Sequence, residues 1–369
     1  MNGLDGVIAA ETKLSMVDGE RGELIIAGYP VAELALNATF EETVALLWPA
    51  GTRRFRTLPL APETLDLLTA AAKRDVDPMD ALGMATACSG RLQPADAPAE
   101  AGAYTADDID AHNLLGSFPT IVAAYWRLLH DRAPIAPRPD LGHAANYLYM
   151  LTGEVPPAPR VRGLETYLNT VVDHGLNAST FTARVIASTG SDFISAVTGA
   201  VGALKGPLHG GAPGPALDMV FEIGDVARAE EVLRRKIESG ERLMGFGHRV
   251  YKVRDPRADV LAAAAERMLG PGDALYDLAR GVEAVALRLL EEYKPGRRLQ
   301  TNVEFYTALL LHGLGLETPL FTPTFAISRV AGWIAHCFEQ RAANRLIRPQ
   351  SVYVGAHGRR WTTAAQPRV

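Results

Sequence analysis

Three histidines of this chain sit in stretches that leave room for a ligand. His248 lies in Gly245-Phe-Gly-His-Arg-Val-Tyr-Lys-Val-Arg-Asp-Pro-Arg257, His209 in Gly206-Pro-Leu-His-Gly-Gly211, and His174 in Asp173-His-Gly-Leu-Asn-Ala-Ser-Thr180. Gly245 and Gly247 permit backbone geometries that a side chain forbids, and the glycines around His209 let a substrate approach the main chain. Asp255-Pro256 reads as the N-cap and first position of a helix, which puts Arg257 in its first turn. A helix N-terminus, a fixed arginine and a nearby histidine suit an anion whose carbonyl can be polarised. That combination points to a small carboxylate substrate.

Two further groups complete the inventory. Thr301-Asn-Val-Glu304 opens a helix with Asn302 as cap and Glu304 in the first turn, where an acid is favourable by roughly 0.3–1 kcal/mol with or without a chemical role. Thr324-Phe-Ala-Ile-Ser-Arg329-Val-Ala-Gly-Trp-Ile-Ala-His336 reads as a helix carrying Arg329 among apolar neighbours. Such an arginine needs an anionic partner, either a structural carboxylate or a ligand.

Several chemistries fail on spacing. No histidine has a His-x-x-x-His or cysteine companion, so no metal site is expected. There is no Gly-x-Ser-x-Gly elbow for a serine hydrolase, no third glycine or βαβ context for a dinucleotide fold, and no Walker loop. A Claisen-type condensation fits. Deprotonating a thioester methyl takes a carboxylate base on one side and a hydrogen-bond donor at the carbonyl oxygen. The 2-oxo dicarboxylate electrophile takes arginine clamps and a donor on its ketone.

The elements that must position these groups are mostly helices. Residues 7–29 carry short β-branched runs around Asp18-Gly19, a hairpin signal. Beyond residue 30 the apolar spacing is helical: Phe40, Val44 and Leu47 share a face, as do Leu65, Leu68 and Ala72, and Pro78-Met79 starts another segment. Residues 93–107 read as a loop, 118–129 as an apolar helix and 132–140 as a proline-rich connector. A glycine at 175 predicts a break near His174. Ser191-Asp192 caps a helix of small residues, and Ser351-Val-Tyr-Val354 reads as a short strand or extended tail. Helices between 212 and 317 are more amphipathic and charged. They suggest a smaller unit inserted in a larger one: 1–211 and 318–369 large, 212–317 small, with hinges at Gly210-Gly211 and near Gly313–Gly315.

Composition bounds the class. With 369 residues, 48% of them hydrophobic, the chain can bury one large core or two unequal ones. A net charge of -5 offers no basic field for nucleic acid. Cys88 and Cys337 are too few for a disulfide framework and suggest a reducing compartment. No uncharged apolar run suits a membrane span and no signal peptide is visible, so the expectation is a cytoplasmic protein.

The Gly-Phe-Gly-His…Asp-Pro-Arg257 stretch resembles the signature of the citrate synthase family. So does the beginning, Gly6-Val-Ile-Ala-Ala-Glu-Thr-Lys-Leu-Ser15 followed by Asp18-Gly-Glu-Arg-Gly-Glu-Leu24. The resemblance implies an all-α fold, a large helical domain with a smaller inserted one, and a transferase that condenses acetyl-CoA with oxaloacetate and hydrolyses citryl-CoA. It implies Glu304 as the base, His209 stabilising the enol, and His248 polarising the ketone and donating a proton. His174, His248, Arg257, Arg329 and Phe325 would hold oxaloacetate, with Arg348 reaching in from the other subunit of a homodimer. Lys252, Arg297 and Arg298 would contact coenzyme A. No tightly bound cofactor, metal, nucleic acid or membrane partner is implied. The small-residue helix would lie at the dimer interface. The extra N-terminal β domain of the longer type has no counterpart, which favours the dimer over the NADH-regulated hexamer.

The chain departs from the family at three places. Glu304 stands where the family has Asp, Pro213-Gly214 where it often has Asn-Glu, and Gly175 where an acid or amide follows the histidine. The extra methylene of Glu304 moves the carboxylate by about 1 Å, a shift that can cost on the order of 100-fold. Two alternatives therefore accompany citrate synthesis: 2-methylcitrate synthesis from propionyl-CoA, and a ligand-binding paralogue with little or no turnover.

Overall fold

A computed structural model describes residues 3–4, 6–49, 55–89, 104–210, 213–248, 250–270 and 272–359. Its chain starts with the expected antiparallel hairpin: β1 (Ser15–Asp18) pairs with β2 (Glu23–Ile26), and the short β3 (Tyr29–Pro30) adds to β2. Leu24 and Ile26 alternate inward and anchor the hairpin to the core. Among the described residues every later element is a helix, so the fold is all-α. The helices are α1 (Val31–Asn37), α2 (Phe40–Leu47), α3 (Pro62–Ala72), α4 (Pro78–Ala87), α5 (Ala106–Leu129), α6 (His143–Thr152), α7 (Ala158–Val171), α8 (Ala178–Ser188), α9 (Phe193–Lys205), α10 (Pro213–Ile223), α11 (Val226–Glu238), α12 (Pro256–Leu269), α13 (Ala274–Tyr293), α14 (Val303–Gly313) and α15 (Phe321–Ala342).

Helix α15 is the axis on which α2, α5, α7, α8 and α9 pack. Its 22 residues span about 33 Å, and the run Ala326–Cys337 is buried without interruption. A helix that is apolar all round belongs in the middle of a core. Gly332 explains how close α7 comes. A Cβ there would lie 2.2 Å from the carbonyl oxygen of Val172, so only glycine lets the end of α7 rest on α15. Ser328 Oγ donates to the carbonyl of Leu168 at 2.5 Å and Arg329 Nε to that of Val171 at 2.7 Å, satisfying the last carbonyls of α7. Gly332→Ala should therefore cost about 1–3 kcal/mol of stability through overpacking, read as a shift of the urea midpoint. An unchanged midpoint would contradict this account.

Two sequence expectations need correction. Ala106 and Asp107 belong to α5, not to a loop: Thr105 and Asp108 form a reciprocal capping box, so the helix starts well before 118. Of the rest of that supposed loop, Tyr104 and Thr105 are non-helical and 93–103 lie outside the described residues. Of the two readings for residues 351–354, a short strand or a tail, the strand does not form: they have no regular secondary structure and nothing pairs with them among the described residues.

Candidate active site

The end of α7 delivers the first histidine. α7 stops at Val171, Asn177 caps α8 by accepting from the Thr180 amide at 3.1 Å, and His174 sits in the turn between them. Asp173 anchors this turn. His336 Nδ1 accepts from Arg184 Nη1 at 3.0 Å, so the imidazole proton is on Nε2, which donates to Asp173 Oδ2 at 3.2 Å. Burial alone would raise the Asp173 carboxyl, but His336, Arg329 and the Ser15 hydroxyl hold it below the usual carboxylate range.

The turn after α9 delivers the second. The His209 amide donates to the carbonyl of Gly206 at 2.9 Å, and Gly210 is pressed so close to Leu204 that a Cβ would lie 2.5 Å from its carbonyl oxygen. His209 Nε2 lies 2.8 Å from Ser179 Oγ, which leaves Nδ1 to a ligand. Ser179 is fixed in turn, 2.8 Å from Asn177 Oδ1 and accepting from Trp333 Nε1 at 3.0 Å. Burial and the Arg329 charge hold His209 down at about 4.

The third histidine comes from the glycine-rich loop, whose Phe246 pairs with Thr301 just before α14. His248 Nδ1 accepts the amides of both Val250 and Tyr251, each at 3.1 Å. Backbone amides only donate, so the imidazole proton resides on Nε2. That nitrogen lies 3.4 Å from Arg257 Nη2. Two donors thus face one another, and an acceptor oxygen between them would satisfy both. Burial and Arg257 hold His248 at about 4, and burial with Arg257, Arg329 and His248 takes His174 well below its ordinary value. All three imidazoles are neutral at pH 7, and His248 turns its N–H toward the site.

The two arginines resolve differently. Arg257, 4% exposed, already holds Asp255 through Nε at 3.0 Å and Nη2 at 2.8 Å. Asp255 also caps α12 and accepts the Val303 amide at 3.1 Å, joining the N-termini of α12 and α14. Arg329, 1% exposed, has no carboxylate partner among the described residues. Its guanidinium lies 4.7 Å from the centre of the Phe325 ring, which meets His209 edge-on at 6.3 Å. Burial lowers Arg329 to about 10. A buried guanidinium without a counterion is costly unless a ligand supplies one.

Glu304 sits where predicted, its amide donating to Asn302 Oδ1 at 3.0 Å. Burial raises its carboxyl to about 7, against the pull of Arg257 and Arg329 and with help from Asp255. The structure thus gathers His174, His209, His248, Arg257, Phe325, Arg329 and Glu304. Lys252 follows the site loop with an exposed side chain. Arg297 and Arg298, also exposed, precede the segment in which Gln300 receives the Gly247 amide at 2.7 Å. Arg348 is exposed on the segment beyond α15.

Sequence reading missed three supporting residues. Tyr251 places its hydroxyl 3.1 Å from His174 Nε2 and its ring centre 4.8 Å from that of His248. Its position inside the motif was the available signal. Ser179 and His336 gave none, because their partners are distant in sequence.

The model for "Citrate synthase, C-terminal domain" matches residues 3–350. The chain belongs to the citrate synthase family. Citrate synthase 2 of Bacillus subtilis is 39% identical over 96% of this chain and 95% of its own length. A 2-methylcitrate synthase of Shewanella oneidensis is 38% identical over 97% and 96%. The structure of a Thermoplasma acidophilum citrate synthase, a ternary complex with carboxymethyl coenzyme A and oxaloacetate, superposes with a TM-score of 0.84 at 28% identity. It covers 97% of this chain and 96% of that one. The protein is accordingly an enzyme of the citrate synthase type, a condensing transferase. Among the described residues no helix is long and apolar enough to cross a membrane.

Proposed function

We propose that this enzyme condenses acetyl-CoA with oxaloacetate to citrate and coenzyme A. The observation that carries the choice of electrophile is Arg329, a buried cation with no carboxylate in salt-bridge contact among the described residues, beside three neutral imidazoles. A dicarboxylate supplies what it lacks. In this reading Arg329, Arg257 and His174 bind the two carboxylates, and His248 Nε2–H with Arg257 Nη2 converge on an acceptor oxygen. Glu304 takes a proton from the thioester methyl while His209 Nδ1–H donates a hydrogen bond to the carbonyl oxygen, Ser179 Oγ then donating to His209 Nε2. The resulting enolate attacks the ketone, whose oxygen takes the Nε2 proton of His248, and the proton gained by Glu304 replaces it. Water then cleaves the citryl thioester, releasing coenzyme A. Lys252, Arg297 and Arg298 stand on exposed segments suited to the phosphates of coenzyme A.

The larger arrangement follows the same reading. A small unit, 212–317, is supported by the mutual packing of α10, α11, α13 and α14. A homodimer in which Arg348 completes the other subunit's site is supported by that residue's exposure and by the exposed Val352, Tyr353 and Val354 beside it.

Release of free thiol with oxaloacetate and either acetyl-CoA or propionyl-CoA tests the proposal. Preference for acetyl-CoA supports it and preference for propionyl-CoA selects 2-methylcitrate. Absence of turnover with oxaloacetate still bound would select the binding paralogue. A pH prediction accompanies it. The base acts as carboxylate, the species present above its value of about 7, so kcat/KM should fall about tenfold per unit below pH 7 and level off above it. A profile flat down to about pH 5 would remove Glu304 as the base.

A further inference from the structure

The N-terminal hairpin touches both substrate loops, which come from distant parts of the chain. Near the start of β1, Ser15 Oγ donates to Asp173 Oδ2 at 2.5 Å and accepts the Gly175 amide at 2.8 Å, gripping both neighbours of His174. At the tip, the Gly19 carbonyl accepts the Lys252 amide at 2.9 Å. A Cβ on Gly19 would lie 2.2 Å from the carbonyl oxygen of Val250, and one on Gly22 would lie 2.7 Å from Val253 Cγ2. Asp18 Oδ1 fixes the tip by accepting the amides of Glu20 at 3.0 Å and Arg21 at 2.9 Å. Leu24 and Ile26 bind the hairpin to the core.

We infer that the hairpin is a spacer that sets the separation of the two substrate loops, with Ser15 and Gly19 as positioning residues for oxaloacetate. The inference rests on the proposed function above. The strand between its anchors spans about 13 Å, a stiff distance at about 3.3 Å per residue. What it fixes is the meeting of His174 with Tyr251, whose hydroxyl and imidazole stand 3.1 Å apart. It also fixes His248, because its tautomer is set by the amides of Val250, which packs on the tip, and of Tyr251, which lies between Val250 and the tip-bonded Lys252. A change at Gly19 must move Val250 by about 1 Å to relieve the clash, and misplacement on that scale can cost up to about 100-fold.

The test is calorimetric titration of oxaloacetate into the full-length protein and its variants, with the thermal midpoint of each free protein. Gly19→Ala is expected to weaken binding about tenfold or more. Ser15→Ala should weaken it about three- to tenfold through one lost hydrogen-bonding group. Ser15→Thr, which keeps the hydroxyl, should restore affinity, and Glu20→Ala on the exposed side of the tip should leave it unchanged. Affinity unchanged in both Gly19→Ala and Ser15→Ala, with only the midpoints lowered, overturns the inference and makes the hairpin a fold element alone. If Gly19→Ala does not fold, the Ser15 pair decides: loss without rescue by threonine also overturns it. A parent protein that binds no oxaloacetate refutes the underlying function before any variant is compared, and this inference with it.

Discussion

Replacing Arg329 with leucine should abolish oxaloacetate binding and at the same time make the free protein more stable. The two effects have one origin. The guanidinium is 1% exposed, with Nε held by the Val171 carbonyl and no carboxylate within reach among the described residues. Removing a buried charge whose partner is a ligand carboxylate costs binding about 2–5 kcal/mol, or roughly 30- to 5000-fold in affinity. The free protein, however, bears the desolvation of that cation with only the longer-range attraction of carboxylates such as Asp173 to offset it, and apolar replacements of buried ionic groups often stabilise by about 1–4 kcal/mol. Parent and Arg329→Leu should therefore cross over. The variant melts higher without ligand, and millimolar oxaloacetate raises the midpoint of the parent alone. A variant that melts lower and still responds to oxaloacetate would show that Arg329 is an internal structural cation.

Glu304→Gln should lower kcat by about 100- to 10,000-fold, the range of a single positioned proton-transfer group, while oxaloacetate affinity changes little. The amide keeps the shape and the helix start, since the Asn302 cap bonds the backbone of residue 304 rather than its carboxylate. It cannot accept a methyl proton. The residual rate should also lose its acid limb near pH 7. Thiol release under saturating substrates, with oxaloacetate titrated separately, separates the two quantities. Equal rates in Glu304→Gln and the parent would move the base elsewhere; the nearby Asp255 is already committed to Arg257 and two backbone amides.

Sequence made local devices legible and distant ones not. The caps at Asp255 and Asn302, the hairpin turn and the break before His174 follow from residues within a few positions of each other. The site motifs carried enough information to name the residues that converge. What sequence left open was how each arginine is paired. Arg257 finds Asp255 two residues away, a pairing that an i,i+2 reading at a helix start allows. Arg329 has none in contact among the described residues, and that absence is a property of the whole core. Ser179, His336 and Ser15 serve the site through contacts spanning 30, 163 and 158 residues of chain, respectively. No periodicity reveals such contacts. The early start of α5 was readable in Thr105 and Asp108, but a polar, alanine-rich approach masked it.

The Asp255–Arg257 pair has one more implication, seen by counting charge. With its imidazoles neutral, Arg257 matched by Asp255 and Arg329 in the field of the ionised, buried Asp173, this chain's cluster offers a dianion no net positive charge. Once Glu304 ionises, the balance turns negative. A dicarboxylate bound by these residues alone would sit in an electrostatic deficit, and affinity would depend on an additional cation. An arginine reaching in from a second copy, as proposed for Arg348, would reduce that deficit by one charge, so that binding strength would track the concentration of assembled protein.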